Sequence, residues 1–266
     1  MIKPIAAFLG DTGQSRFVAG CHIALSSYAG NAVFEEWHAH EKSGISFLLN
    51  GTHEEDLLGK KYKRVPGDIK YIPAGEQHRC NNYELNTRKI NVDFNEKFFQ
   101  NVAVTEEQLI KLIPQSITTK FTLIQLGREL KDESAQADTS AELLLYALFS
   151  PVLTSTVQRY KAPPPWAERL KELLNDEWDK PFHLDELSAR LGVHPVTISR
   201  YFPLYFSSTL GIYINRIKVD KALGLIKNTK LPLTAIAYNC GFADQPHFTR
   251  TFKAITGCLP KTFRNL

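Results

Sequence analysis

Apolar and polar positions alternate in short runs over the first hundred residues, and turn residues separate the runs. Examples are residues 45–51, 61–68 and 69–75, with Asn50-Gly51 at one of the hairpin turns. Strands of this length and spacing predict a small β-barrel or β-sandwich.

The pattern changes to helical spacing in the middle of the chain. Residues 104–112, 121–130 and 141–158 carry apolar side chains every three to four positions. Pro151 is expected to kink or interrupt the last of these helices. We expect the stripes to pack on the barrel or against a second subunit. Three consecutive prolines within residues 161–165 predict a stiff linker between two domains.

The last third of the chain contains one pattern twice. A shift of 49 positions superposes the apolar and small positions of residues 184–192 on those of 233–241. After one inserted residue, a shift of 50 superposes residues 196–202 on 246–252. Two copies of one supersecondary unit are therefore predicted.

Each copy has the sequence features of a helix-turn-helix. A small residue, Ser188 or Ala237, allows the two helices to cross closely. Four positions later a glycine, Gly192 or Gly241, supplies the left-handed backbone that ends the first helix. The apolar residues that recur at helical spacing in the second helix of the first copy are Val196, Ile198, Tyr201 and Phe202.

The second helix of each copy also carries a polar face. Arg200 and Arg250 occupy matching places, and arginine can bond a guanine edge or neutralise a phosphate. Asp244 is expected to cap the second of these helices. The alternative is a pair of hairpins packed for stability alone, with solvated polar faces. The candidate DNA-contacting residues are His194, Val196, Thr197, Ser199, Arg200, Gln245, His247, Thr249, Arg250 and Lys253.

Positive charge is concentrated in the same region. Residues 190–266 hold 11 Lys and Arg against 2 acidic residues, a net charge of +9, while the whole chain carries +4. Residues 1–161 hold 18 basic and 19 acidic residues. A polyanion is therefore the expected partner of the last third. Lys218 and Lys227 either neutralise phosphates or are plain solvated charges.

Two segments of this region resemble a known family. "LSARLGVHPVTISRYF" (187–202) and "GFADQPHFTRTFKAITGCLPKTFR" (241–264) resemble the DNA-binding domain of AraC/XylS-type bacterial transcription regulators. The resemblance covers about the last 100 residues. It implies that a long helix, here about 211–228, sets both recognition helices along one face of DNA, where successive major-groove windows lie about 34 Å apart. Pro246 departs from the family, which often has a polar base-contacting residue there.

The β-rich region carries a second resemblance, to the cupin fold. The first cupin motif is partly present as His38, His40 and Gly51, but Gly44 stands where a glutamate ligand is expected. The second motif is matched at every position, namely Gly67, Pro73, Ala74, Gly75, His78 and Asn82.

The histidines of these motifs form a candidate site. His38 and His40 point to one face of their strand, and His78 arrives from another strand. Three nitrogen donors can hold a divalent metal ion with open positions. Alternatively, the histidines bond a small molecule without metal, or they are structural. The candidate metal ligands are His38, His40 and His78, and the candidate effector-binding residues are Trp37, His38, His40, Phe47, Tyr71 and His78.

Cysteine spacing and hydropathy exclude several classes of protein. The four cysteines lack Cys-x-x-Cys pairing, which argues against a disulfide framework or a cysteine-based zinc site. No apolar run reaches membrane-spanning length, and the first ten residues lack the features of a signal peptide. We expect a cytoplasmic protein.

These patterns together predict an α+β multidomain protein: a cupin-like β-barrel with helices, followed by an all-α double helix-turn-helix domain. The expected function is transcription regulation, as an activator, controlled by a small-molecule effector. Expected partners are double-stranded DNA, that effector (a sugar among the candidates), RNA polymerase and a second subunit, with no membrane, no catalysis and no cofactor beyond the candidate metal.

The alternatives are a metal-dependent cupin enzyme fused to a DNA-binding domain, and a DNA-organising protein without an effector. The expected domains are an effector-binding barrel (1–103), a helical segment (104–160), a linker (161–165) and a DNA-binding domain (166–266), with helix-turn-helix units at about 184–205 and 233–256.

Overall fold

The computed structural model divides the chain into two compact units, residues 1–156 and 157–266. The residues that the structure describes are 4–5, 10–30, 35–57, 59–102, 104–114, 116–134, 136–149, 163–180, 182–206 and 208–265. No helix within these ranges is both long and apolar enough to cross a lipid bilayer.

The first unit is built mainly from antiparallel sheets. Its strands are β1 (Pro4–Ile5), β2 (Asp11–Val18), β3 (Cys21–Ala29), β4 (Ala39–His40), β5 (Gly44–Asn50), β6 (His53–Leu57), β7 (Lys60–Arg64), β8 (Ile69–Ile72), β9 (Arg79–Asn81) and β10 (Leu85–Asp93). Five of them form a sheet in the order β2-β3-β10-β5-β8, and three form a second sheet in the order β7-β6-β9. A short parallel pair joins β1 to β4.

Both faces of strand β10 are buried from Lys89 to Asp93, but one face is polar and the other is apolar. Side chains alternate across a strand, so Lys89, Asn91 and Asp93 share one face while Ile90 and Val92 share the other. All five are buried. A Cβ added at Gly127 would lie 2.5 Å from Ile90 Cδ1, so Gly127 lets its helix approach the apolar face closely. The Lys89 face looks into the interior between the sheets.

Four helices complete the described part of this unit. They are α1 (Glu96–Val102), α2 (Glu106–Leu112), α3 (Ile117–Glu129) and α4 (Ala137–Leu148). Their buried faces include the predicted leucine stripes, with Leu123, Leu126 and Leu145 fully buried. The expected interruption at Pro151 and the first two residues of the expected linker, 161 and 162, lie outside the described residues. Pro165, the last residue of that linker, is the first residue of the next helix, a position that suits its fixed φ angle.

The second unit is helical throughout its described part. Its helices are α5 (Pro165–Asp176), α6 (Leu184–Leu191), α7 (Pro195–Phe206), α8 (Leu210–Asn228), α9 (Leu233–Asn239), α10 (Gln245–Thr256) and α11 (Pro260–Arg264). Helices α6 and α7 form one helix-turn-helix, α9 and α10 form the other, and α8 runs between them. At about 1.5 Å per residue, the 19 residues of α8 span about 28 Å.

Candidate nucleic-acid interface and interior cavity

Both turns of the second unit use the features that the sequence indicates. Gly192 and Gly241 adopt left-handed backbone angles, with φ of 66° and 68°. Asp244 caps α10, because its Oδ1 accepts a hydrogen bond of 2.6 Å from the backbone N–H of His247. In the first copy the Nδ1 atom of His194 accepts from the backbone N–H of Val196 at 3.2 Å. The two recognition helices, α7 and α10, therefore begin at fixed points.

The matched arginines of α7 and α10 both reach solvent. The guanidinium of Arg200 lies over the ring of Tyr201, 5.6 Å from its centroid. Within the described residues, neither Arg200 nor Arg250 forms an ion pair. None of the ten predicted DNA-contacting residues is buried. Those exposed are His194, Val196, Ser199, Arg200, Arg250 and Lys253, and those partly exposed are Thr197, Gln245, His247 and Thr249.

Fewer apolar side chains of α7 are buried than the spacing of its apolar residues predicts. Ile198 and Phe202 are buried at 0% and 1% exposure, as expected of residues one turn apart. Val196 and Tyr201, which share the apolar pattern, are 61% and 38% exposed. These two side chains extend the exposed face of α7 instead of its core.

Several cations of this unit are occupied by internal contacts. Arg190 makes two hydrogen bonds to Glu177, at 2.9 and 2.7 Å, which lower the pKa of Glu177 to about 2. Lys218 donates to the carbonyl of Gly241, which gives this side chain a structural contact within the domain. Lys227 likewise donates to the carbonyl of Arg264. Arg200 and Arg250 differ from these residues in having no such internal partner among the described atoms.

The first unit contains a polar cavity between its two sheets. Its accessible volume is about 40 Å³, and it opens to solvent at one side. Side chains from β3, β5 and β10 line one wall, and side chains from β6, β7 and β9 line the other. His38, His40 and His78 lie among the lining residues.

These three histidines converge on one point. An isolated β-bridge joins His38 to His78, with reciprocal backbone hydrogen bonds of 2.9 Å. One ring nitrogen of each histidine lies within 4.8 Å of the other two. The ring centroids are 4.4 Å apart for His38 and His78, and about 5 Å apart for each of these with His40.

Backbone carbonyls orient two of the rings. His38 Nδ1 lies 2.8 Å from the carbonyl oxygen of Glu36, and His78 Nδ1 lies 3.0 Å from that of Glu76. Each Nδ1 therefore donates to its carbonyl, and in a neutral ring of this kind Nε2 carries the free lone pair. Burial lowers the pKa of His40 and of His78 to about 4, so both rings are neutral at pH 7. Neutral, oriented nitrogens of this kind fit a divalent ion and equally fit a hydroxyl group of a ligand.

A carboxyl group from another strand lies beside the position of the missing glutamate. Gly44 pairs with Asp93 across β5 and β10, and a Cβ at Gly44 would lie 2.9 Å from Asp93 Oδ1. Burial raises the pKa of Asp93 to about 7. Asp93 does not belong to the histidine cluster itself. A carboxylate is thus present in the cavity, but not within the coordination distances of the three histidines.

The other predicted effector residues lie outside the cavity lining. Phe47 is 1% exposed and belongs to the core. The hydroxyl of Tyr71 donates to Glu106 at 3.2 Å and so links β8 to α2. Trp37 is partly exposed, with the guanidinium of Arg79 5.0 Å from its ring centroid. Of the six predicted effector residues, the structure brings only the three histidines together around the cavity.

The sequence reasoning missed most of the charged lining. Lys89, Glu55 and Arg64 are each less than 10% exposed, and all line the cavity. The available signal was the run of alternate polar positions 89, 91 and 93 in a strand whose other positions are apolar. A polar face on a strand is ordinarily solvent-exposed, so the pattern alone predicts the opposite environment.

Part of the chain matches a known protein family. Residues 187–266 match a family model described as a helix-turn-helix domain. This range contains most of the first unit of the repeat and all of the second.

Full-length relatives cover most of the chain. The chain is 23% identical over 251 residues to the "HTH-type transcriptional activator RhaR" of Cronobacter sakazakii, covering 87% of each protein. It is 24% identical over 255 residues to the "HTH-type transcriptional activator RhaS" of Mannheimia succiniciproducens, covering 91% of this chain and 93% of the relative. A solved AraC-type regulator from Chromobacterium violaceum matches at 23% identity and a TM-score of 0.36, covering 38% of this chain and 90% of that one.

Proposed function

We propose that this chain acts as an AraC/XylS-type transcription regulator. It binds specific DNA through α7 and α10. It activates transcription in response to a small molecule. AraC-type helix-turn-helix regulators bind DNA, and relatives over most of the chain are transcriptional activators. RNA polymerase is then the expected partner of the activated complex, and a second subunit is a further proposed partner.

The observation that carries the proposal is the matched pair Arg200 and Arg250. They occupy equivalent positions in two copies of one motif, both are exposed, and neither is neutralised by a described carboxylate. The nearby Arg190 is neutralised by Glu177, so exposure and lack of a partner distinguish the two arginines within one domain. Exposed cations at repeated positions are what reading two successive major-groove windows requires.

The direct experiment is selection of binding sites from random duplex DNA with the full chain, followed by affinity measurements as a function of salt. We expect a selected site with two sequence elements about one helical turn apart, and an affinity that falls as salt rises because counterions are released. Binding that is equally tight to unselected DNA would identify a DNA-organising protein instead of a regulator.

We propose that the cavity of the first unit is the effector site. Effector binding regulates DNA binding only if the effector prefers one arrangement of the protein over another. In this proposal ring nitrogens of the three histidines bond the effector on one wall, and no catalytic step is required. A sugar or another polyhydroxylated compound suits hydrogen-bonding groups of this kind.

The second candidate is a metal-dependent cupin, and the oriented rings of His38 and His78 favour it. When bound by His38, His40 and His78, a divalent ion would supply a Lewis acid and open coordination positions. The fit is incomplete, because Gly44 stands at the place of the usual carboxylate ligand.

Equilibrium dialysis against Co²⁺ tests this candidate, with His183→Ala as a control outside the cavity. We expect His78→Ala to abolish stoichiometric retention if the metal proposal holds. Retention that is absent in the wild-type protein, or unchanged in the His78 variant, would exclude it.

A further inference from the structure

The cavity holds a buried cation that the histidine site does not use. Lys89 is 6% exposed and extends from β10 into the cavity between the sheets. Its neighbours on the same face of β10, Asn91 and Asp93, also line the cavity. The ammonium group therefore belongs to the cavity wall and not to the protein surface.

The partners of Lys89 lie on one side of it. Its Nζ donates a hydrogen bond of 3.0 Å to the hydroxyl of Tyr83, which in turn donates at 2.7 Å to Glu35. The same Nζ lies 4.7 Å from the ring centroid of Tyr28 and 4.8 Å from that of Tyr83. The two rings stack in parallel, with centroids 4.2 Å apart. The ammonium therefore lies beside the stacked pair, nearly equidistant from both rings, and is held by the Tyr83 hydroxyl and the electrostatic attraction of the rings.

Arg64, which is buried in the cavity lining, and Lys70, which is half-buried and outside the lining, are each paired directly with a carboxylate. Arg64 lies 3.1 Å from Glu55, and Lys70 lies 2.8 Å from the second oxygen of Glu55. Lys89 forms no ion pair of this kind with any carboxylate of the described residues, since Glu35 is reached only through Tyr83. An ammonium group has three N–H donors, and among the described residues one hydrogen-bond acceptor, the Tyr83 hydroxyl, is present for them.

Burying an ammonium group costs free energy when some of its N–H donors have no hydrogen-bond acceptor. An acceptor in the cavity reduces that cost. Burying an unpaired ion is unfavourable, and a carboxylate oxygen is the acceptor that offsets this best. Because the tyrosines hold Lys89 from one side, its remaining N–H groups are available to the cavity. Water can fill these positions in the absence of a ligand.

We infer that Lys89 is the anchor for a carboxylate group of the effector, so that the effector is an organic acid and not a neutral sugar. The inference rests on the proposed function, because it assigns the effector to this cavity. The histidine wall adds a second requirement, because the neutral rings of His40 and His78 can accept hydrogen bonds from hydroxyl groups. Hydroxylated carboxylic acids, including sugar acids, meet both requirements.

Calorimetric titration of the full chain with matched probes tests the inference. The probes are lactate against lactamide and D-glucuronate against D-glucose, so that each pair differs in its charged group. We expect at least one acid to bind at least tenfold more tightly than its neutral partner. We expect Lys89→Met, which keeps the aliphatic stem, to remove that preference, and Lys60→Met on the exposed surface of β7 to retain it.

Two further measurements test the inference even if Lys89→Met does not fold. Lys89→Arg keeps the charge and is expected to retain a preference for the acid, and the comparison of acid with neutral probe needs only the wild-type protein. A wild-type protein that binds no acid better than its neutral partner overturns the inference, as does an unchanged preference in folded Lys89→Met. Selection of a specific DNA site together with a response to D-glucose alone would overturn the carboxylate assignment and leave the proposed regulator intact. Absence of a selected site would overturn the regulator while the probe titrations still decide the role of Lys89.

Discussion

The ammonium of Lys218 donates a 2.7 Å hydrogen bond to the carbonyl oxygen of Gly241, which fixes the turn of the second helix-turn-helix to α8. Gly241 is also crowded, since an added Cβ would lie 3.0 Å from the carbonyl oxygen of Asp179 and 3.1 Å from Lys218 Nζ. Its counterpart in the first copy, Gly192, has the same left-handed backbone but no atom within 4 Å of an added Cβ. The two copies therefore provide a matched pair of glycines that differ only in their surroundings.

We expect Gly192→Ala to cost about 1 kcal/mol, the strain of a left-handed alanine. Gly241→Ala should cost roughly 1 to 3 kcal/mol more, because the methyl group is also forced against backbone. Urea unfolding of the two variants measures the difference. Equal losses would show that the crowding at Gly241 relaxes without cost.

The matched arginines should contribute to affinity for a selected DNA site. We expect Arg200→Ala and Arg250→Ala each to weaken binding by about 1 to 3 kcal/mol if they read bases. Arg190→Ala removes the same charge from a residue already paired with Glu177, so it should have a smaller effect. Gel-shift titrations on the selected site and on unrelated DNA separate the roles: an equal loss on both would assign the arginines to phosphates.

Glu55 should make the first unit sensitive to acid. Burial opposes its charge, but Lys70 and Arg64 lower the pKa of this carboxyl to about 2 from its usual 4.5. A folded-state pKa below the unfolded one gives stability that is complete above about pH 4.5 and lost as the pH falls towards 2, on the order of 3 kcal/mol. We expect Glu55→Gln to be less stable than wild type at pH 6, with the difference shrinking below pH 4. A difference that stays constant from pH 6 to pH 3 would contradict the ion-pair origin.

Asp93 should make the first unit less stable as the pH rises, which is the opposite of the effect of Glu55. Burial raises its pKa to about 7 from 3.8, so the folded state holds a proton that the unfolded state releases. Stability from this group is complete below about pH 4 and is lost as the pH rises through 7, on the order of 4 kcal/mol. We expect Asp93→Asn to lack this loss and to gain most over wild type at pH 8. Urea titrations at pH 5 and pH 8 measure it, and a variant that gains equally at both pH values would show that Asp93 does not titrate in this range.

The helical domain was largely predictable because its signals are local. Gly192, Gly241 and Asp244 act within one turn of themselves, and the repeat supplied each signal twice. Val196 and Tyr201 were harder to place, because apolar spacing does not reveal which side of the stripe lacks a facing helix. The charged cavity was not predictable, since the contacts of Lys89 with Tyr28 and of Glu55 with Lys70 depend on strand pairing between distant segments. The histidine cluster was found only because its motif spacing has a known resemblance.

The most direct test of the central claim is missing-contact mapping of the wild-type protein, Arg200→Ala and Arg250→Ala on the selected site. If α7 and α10 each read one major-groove window, Arg200→Ala should lose discrimination at one group of base pairs and Arg250→Ala at a second group about one turn, roughly 10 base pairs, away. If both variants lose the same base pairs, or neither loses any, the two helices do not read DNA side by side and the account is contradicted.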